Sequence, residues 1–306
     1  MNTINLNHLI SSLEKKLSAK FSDPILCTQY AWWLVQAITQ KDELTLMSNP
    51  EIPWDQSQQE MLDDALDKLI VHAMPLAYLL GSMPFAGLDI LVRPPILIPR
   101  PETEEWCINL IEQLETFRNE PLMILDLCTG SGCIALALAD AFGKASIYAT
   151  DNNPTALALA QENARHNQIT NITFLQSDLF ESISSNLKFD LIVSNPPYID
   201  PNQWESLENS VKNWEDKNAL IAPDHGLALI KKIIEIAPHY LNQNKARAQK
   251  GIPQLVFEID TNQAAPIIAY MKKHNYSDIT VIKDLQAKDR VISGRIDNVA
   301  LAGSQK

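Results

Sequence analysis

The sequence has few cysteines and no arrangement that gives them a joint task. Cys27, Cys107, Cys128 and Cys133 form no Cys-x-x-Cys pair and no spaced Cys/His cluster. This argues against a disulfide scaffold and a zinc site, and a reduced intracellular protein with no bound metal is expected. No apolar run reaches the length of a membrane span. The opening Met1-Asn2-Thr3-Ile4-Asn5-Leu6 has no basic region and no long apolar core, so no secretory signal is expected. Internal repeats and low-complexity tracts are absent. Positive charge is in deficit: 25 Lys and Arg stand against 37 Asp and Glu, a formal net charge of −12. Sequence-independent nucleic-acid binding rests on Lys and Arg contacts to phosphates, so no direct nucleic-acid binding is expected.

What is present suits a globular protein. The length of 306 residues fits one large or two unequal domains, and 46% apolar content supports a core. Residues 1–80 read as a helical domain, with Leu6, Leu9, Ile10, Leu13 and Leu17 on one face. Tyr30 to Val35 begins a second helix, in which Trp32 and Trp33 are expected as core or domain-contact residues. A third stripe holds Met61, Leu62, Ala65, Leu66, Leu69 and Ile70. Residues 81–100 alternate in hydropathy up to Pro94-Pro95 and predict a β-hairpin linker. Arg100-Pro101-Glu102-Thr103-Glu104 then opens a helix whose acidic first turn suits the helix dipole.

From about residue 121 strands and helices alternate, which predicts a doubly wound, mostly parallel α/β sheet. Four strand ends carry the candidate chemistry. After Met123 to Leu127 comes the small-residue loop Cys128-Thr129-Gly130-Ser131-Gly132, where backbone can approach a ligand closely. After Ile147 to Thr150 comes Asp151, 19 residues beyond Gly132, where a carboxylate can accept from both hydroxyls of a ribose. After Ile172 to Leu175 come Asp178 and Leu179, placed to flank an adenine. After Phe189 to Ser194 comes Asn195-Pro196-Pro197-Tyr198. Two prolines cannot continue a central strand, so the chain turns and presents four residues at the rim. Asn195 offers a side-chain acceptor, Pro196 a main-chain acceptor held by fixed backbone, and Tyr198 a flat ring. That set fits a planar group bearing an NH2, either a carboxamide or an exocyclic base amine.

These motifs resemble the class I S-adenosylmethionine-dependent methyltransferases, and more closely the protein-(glutamine-N5) methyltransferases. The resemblance runs from about Pro75 to Arg295. It rests on Leu97-Ile98-Pro99-Arg100-Pro101-Glu102-Thr103-Glu104, on Ile124 to Gly132 and on Asn195 to Tyr198. It implies a Rossmann-like sheet, mostly parallel with an antiparallel edge strand, over residues 101–306. The helical domain 1–80 would recognise the substrate. It implies S-adenosyl-L-methionine as cofactor, contacted by Cys128, Thr129, Gly130, Ser131, Gly132, Asp151, Asp178, Leu179 and Asn195. Asn195, Pro196 and Tyr198 would be catalytic, with Pro197 and Arg100 joining them in substrate binding. The family's substrates are the glutamine of the Gly-Gly-Gln loop of peptide-chain release factors and a glutamine of ribosomal protein L3. The Arg100 segment is similar to the release-factor enzymes, and the Cys128 loop to the L3 enzymes. The loop meets the cofactor rather than the protein substrate, so a release factor is the expected partner. A cytoplasmic monomer is expected (in the mitochondrial matrix if the source is eukaryotic). Two other readings stand beside this: an adenine-N6 methyltransferase and a catalytically silent cofactor-binding scaffold.

Overall fold

The computed structural model describes residues 3–242 and 251–296. Residues 243–250, within the stretch Asn242 to Gly251 whose Lys and Arg residues predict a solvated basic loop, lie outside the described residues. The chain forms two compact units: Met1–Ser82 with Glu208–Trp214, and Met83–Leu207 with Glu215–Lys306.

The first unit is helical, as its periodicity predicts. Helix α1 (Leu6–Leu17) starts where the Asn5 side chain accepts from the His8 N–H, and its five stripe residues are buried. Asp23 caps α2 (Pro24–Thr39), with proline at the first turn. Short α3 (Glu43–Met47) follows, and Asp55 and Gln58 form a reciprocal capping box at α4 (Gln56–Ile70). Helix α5 (Leu76–Leu80) ends at Gly81. The aromatic and methionine positions differ from the core expectation in part: Trp32 packs against the core while Trp33 is 44% exposed. Of the α4 stripe Leu62, Leu66 and Leu69 are buried, Ala65 and Ile70 pack partly buried against the same core, and Met61 is 52% exposed. A small antiparallel pair, β1 (Thr3–Asn5) with β2 (Glu51–Pro53), ties the start of α1 to the segment before α4 and was not expected.

The predicted β-hairpin is present. Strands β3 (Ser82–Phe85) and β4 (Leu88–Leu91) pair with each other, and β4 is fastened to a helix of the second unit. Leu91 N–H donates to Asn163 Oδ1 at 2.7 Å, and Asp89 N–H to Asn167 Oδ1 at 3.1 Å. From Met83 onward the hairpin thus belongs to the second unit.

That unit holds a seven-stranded sheet. Its strands are β5 (Met123–Leu127), β6 (Ser146–Asp151), β7 (Ile172–Gln176), β8 (Leu191–Ser194), β9 (Leu255–Glu258), β10 (Tyr276–Lys283) and β11 (Asp289–Ile296), ordered β10-β11-β9-β8-β5-β6-β7. β5 to β9 run parallel, and β11 runs against both β9 and the edge strand β10. Helices α6 (Pro101–Gln113), α7 (Cys133–Ala141), α8 (Pro154–His166), α10 (Ala228–Ile236) and α11 (Ala264–Lys273) accompany it. Every residue of β8 and β9 is buried, as strands covered on both faces require. The chain order reverses between β5 and β8, so the carboxyl ends of the parallel strands meet at a switch point. Between β8 and α10 the chain leaves this unit once. Helix α9 (Asn209–Trp214) joins the helical unit, where Trp214 Nε1 donates to the His72 carbonyl at 2.9 Å.

Candidate active site

A cleft opens at the switch point and holds about 720 Å³ of empty space, its open mouth included. Each strand end contributes one wall. β5 supplies Cys128 and Gly130, β6 supplies Asp151 with Asn153, β7 leads to Asp178 and Leu179, and β8 ends in Asn195 and Pro197. Segments around Ile96 and Asp216 close the opposite side, tied by the Asp216 N–H donating to the Pro95 carbonyl at 2.7 Å.

Asp151 is fixed by backbone. Its Oδ2 accepts from the Gly130 N–H at 2.9 Å, and its Oδ1 from the Asn153 N–H at 2.9 Å. Burial raises its pKa, against the pull of those N–H groups, and nearby Asp216 raises it further. The loop divides its labour. Cys128 adopts a left-handed backbone, φ 58°, where glycine is the easy residue. Burial pushes its thiol pKa far up, so it remains a thiol. The Thr129 side chain turns inward, donating to Asp126 Oδ2 at 2.6 Å, and Ser131 is buried. Gly132 packs against Ala160, and a Cβ there would lie 2.9 Å from the Ala160 methyl. Of the five loop residues proposed to meet the cofactor, Cys128 and Gly130 line the cleft.

The donor set indicates which nucleotide-like group fits. Asp151, Asp178 and Asp216 line the cleft, and no Lys, Arg or His does so among the described residues. A pyrophosphate would meet only like charge here. A ribose beside a cationic sulfonium meets acceptors and negative charge instead.

The acceptor tetrapeptide is held from behind by residues far away in the chain. Asn195 Nδ2 donates to Thr103 Oγ1 at 3.2 Å. Thr103 Oγ1 donates to Glu258 Oε2 at 2.6 Å, as does Trp106 Nε1 at 2.9 Å. Tyr198 Oη donates to Glu258 Oε1 at 2.8 Å. Burial first, and then Glu258, raise the Tyr198 pKa well above its ordinary value, so its hydroxyl keeps its proton. The Tyr198 carbonyl accepts from Gln263 Nε2 at 2.8 Å. Gly226 makes that approach possible: a Cβ there would sit 1.8 Å from the same carbonyl oxygen. Pro196 is buried and Asn195 half-buried. Arg100 does not line this cleft. Its Nη2 binds both oxygens of buried Glu215, at 2.7 and 2.5 Å.

Thr103 reads in the sequence as a first-turn helix residue, yet α6 has no side-chain cap and Thr103 points to Glu258. Glu258 escaped notice altogether. Its signal was a single carboxylate ending the otherwise apolar run Leu255-Val256-Phe257. Gln263 and Gly226 carried no local signal.

Comparison with known proteins adds independent observations. Residues 8–81 match the family model described as PrmC N-terminal domain, and residues 109–212 match Methyltransferase small domain. A release factor glutamine methyltransferase from Fusobacterium nucleatum subsp. nucleatum is 35% identical over 294 residues, covering 94% of this chain and 78% of the relative. Another, from Salmonella typhimurium, is 37% identical over 263 residues, covering 86% and 90%. Among solved structures, the hMettl16 catalytic domain in complex with MAT2A 3'UTR hairpin 6 aligns with a TM-score of 0.53 at 13% identity, over 87% of this chain and 93% of that one. That likeness concerns the fold alone. Identity above 30% across most of both chains is a closer relation, and this chain belongs to the family of release factor glutamine methyltransferases.

Proposed function

We propose that this protein methylates the side-chain amide nitrogen of the glutamine in the Gly-Gly-Gln loop of a peptide-chain release factor. The observation that carries the reading is Asn195, which lines the cleft while its Nδ2 is tied back to Thr103. Bound in the cleft, S-adenosyl-L-methionine supplies an electrophilic sulfonium methyl. Asp151 would hold its ribose hydroxyls, with Asp178 and Leu179 beside its adenine. A carboxamide nitrogen is a poor nucleophile because its lone pair is delocalised, and its proton becomes acidic only as the new N–C bond forms. The residues therefore have to orient and polarise rather than deprotonate. Asn195 Oδ1 and the Pro196 carbonyl accept the two N–H groups, and their hold strengthens as positive charge grows on nitrogen. The same grip aims the nitrogen, which saves entropy in the encounter. Tyr198 does not line the cleft; its hydroxyl is pinned to Glu258 behind it.

The helical unit gives a second gripping surface. It exposes Ile25, Trp33, Leu44, Met47, Met61 and Val71, apolar area of the kind a protein partner covers. An intact factor should then be a far better substrate than a bare loop peptide, because remote contacts help to position the reacting group. The test offers release factor, ribosomal protein L3 and adenine-containing DNA in parallel with labelled cofactor, followed by mass spectrometry. Label in the release factor, lost when its loop glutamine is replaced by alanine, is the expected result. Label in L3 or DNA with none in the release factor overturns the assignment.

A further inference from the structure

Asn195 has an orientation problem that its own sequence neighbourhood does not solve. A carboxamide turned by half a rotation presents NH2 where the oxygen had been, at almost no cost in shape. If Asn195 turned that way, it would point donors at a substrate amide that also brings donors. Something must decide which end faces the cleft.

We infer that Glu258, acting through the Thr103 hydroxyl, fixes the orientation of the Asn195 carboxamide and so makes it an acceptor toward the substrate. The inference rests on the reading that Asn195 accepts from the target amide, and it deepens that reading.

A carboxylate offers lone pairs and no hydrogen. Glu258 Oε2 lies 2.6 Å from Thr103 Oγ1, so the threonine's one hydrogen is committed to it. Thr103 Oγ1 then has only lone pairs left for its other neighbour. That neighbour, the Asn195 amide at 3.2 Å, has to donate, which places Nδ2 toward Thr103. Oδ1 consequently faces away from Thr103 and has no donor among the described residues. Three donors, Thr103 Oγ1, Trp106 Nε1 and Tyr198 Oη, converge on the Glu258 carboxyl oxygens. Trp106 Nε1 can only donate, and Tyr198 Oη keeps its proton. Thr103 and Glu258 are each 1% exposed, so the relay is closed to bulk solvent. It is also long-range: Thr103 and Glu258 lie 92 and 63 positions from Asn195, on the first turn of α6 and at the end of β9. Thr103 and Glu258 touch no reacting atom. They are positioning residues.

The test compares Thr103→Ser, Thr103→Val and Asn195→Ala, each assayed for kcat, substrate KM and cofactor affinity. Serine keeps the hydroxyl, and its kcat should stay within about threefold of the parent, since one hydroxyl replaces another. Valine keeps the shape without the hydroxyl, and kcat should fall on the order of 10–100-fold, because the amide is free to turn. Cofactor affinity should be unchanged in both. A second readout needs no disabled variant: in the parent protein the Asn195 side-chain amide resonance, assigned by its loss in Asn195→Ala, should show one proton protected from solvent exchange. Thr103→Ser should keep that protection. If Thr103→Val turns over like the parent while Asn195→Ala is dead, the relay is wrong and the active-site reading survives. If Asn195→Ala is itself active, the reading of the site fails. If Thr103→Val does not fold, fast exchange of both Asn195 amide protons in the parent would still overturn the relay, and protection of one would support it.

Discussion

The two halves of the cleft are built on different principles. The half proposed for the cofactor is local. Asp151 is gripped by N–H groups of Gly130 and Asn153, and the walls on the sheet side are residues at or just after strand ends. The half proposed to hold the substrate amide is global. Asn195 and Tyr198 owe their geometry to Thr103, Trp106, Glu258 and Gln263, which come from α6, the end of β9 and the approach to α11. A cofactor needs recognition that any neighbouring backbone can supply. An amide acceptor needs one orientation out of two, and a distant, buried proton relay can impose it. Binding and turnover should therefore fail separately.

The largest effect should come from the acceptor half. Asn195→Ala should lower kcat by roughly 10²–10³, the loss typical of one preorganised partner for developing charge, and should spare cofactor affinity. Steady-state kinetics with a release factor as substrate decides it, and a kcat near that of the parent would break the comparison. Next comes the local half. Asp151→Ala removes a charged acceptor, and hydrogen bonds to charged groups contribute about 1.5–3 kcal/mol. Affinity for S-adenosyl-L-methionine should fall by about 10–100-fold in calorimetric titration, with kcat at saturation largely retained. An unchanged dissociation constant would remove Asp151 from the site.

The same division governs how much was legible in the chain. The alternation of strands and helices, the strand ends and the helical first unit all follow from periodicity over a few residues. So does the list of cleft-lining residues that sit immediately after strands. Thr103 was visible, but only as a helix opener, because nothing within a turn of α6 reveals a carboxylate 155 positions away. The attachment of α9 to the helical unit was hidden for the same reason, since its register is set by tertiary contacts such as Trp214 with His72. Met61 and Trp33 show the opposite failure. A helical stripe marks which residues are apolar, while the width of the buried face depends on what packs against it.

The smallest effect sharpens the comparison from beneath the cofactor half. Asp126 interrupts the apolar strand β5 one residue before its end, is fully buried, and has one oxygen without a hydrogen-bond partner among the described residues. Burial raises its pKa to about 7, more than the Thr129 hydroxyl can offset. Between pH 5.5 and 7 an unfolded aspartate is already ionised, whereas the folded one still binds its proton. The folded state holds the extra proton, so stability falls as pH rises, by at most about 1.4 kcal/mol per pH unit, and the loss levels off above the folded pKa. Asp126→Asn carries no titrating group and keeps an acceptor for Thr129. Across that window, stability of the parent relative to Asp126→Asn should drop by about 1.6 kcal/mol, with contributions from histidines cancelling in the difference. Denaturant unfolding of both proteins at several pH values measures it. Parallel curves would mean that Asp126 is ionised in the fold throughout. The local half would then owe its order to a buried charge rather than to a buried neutral acid.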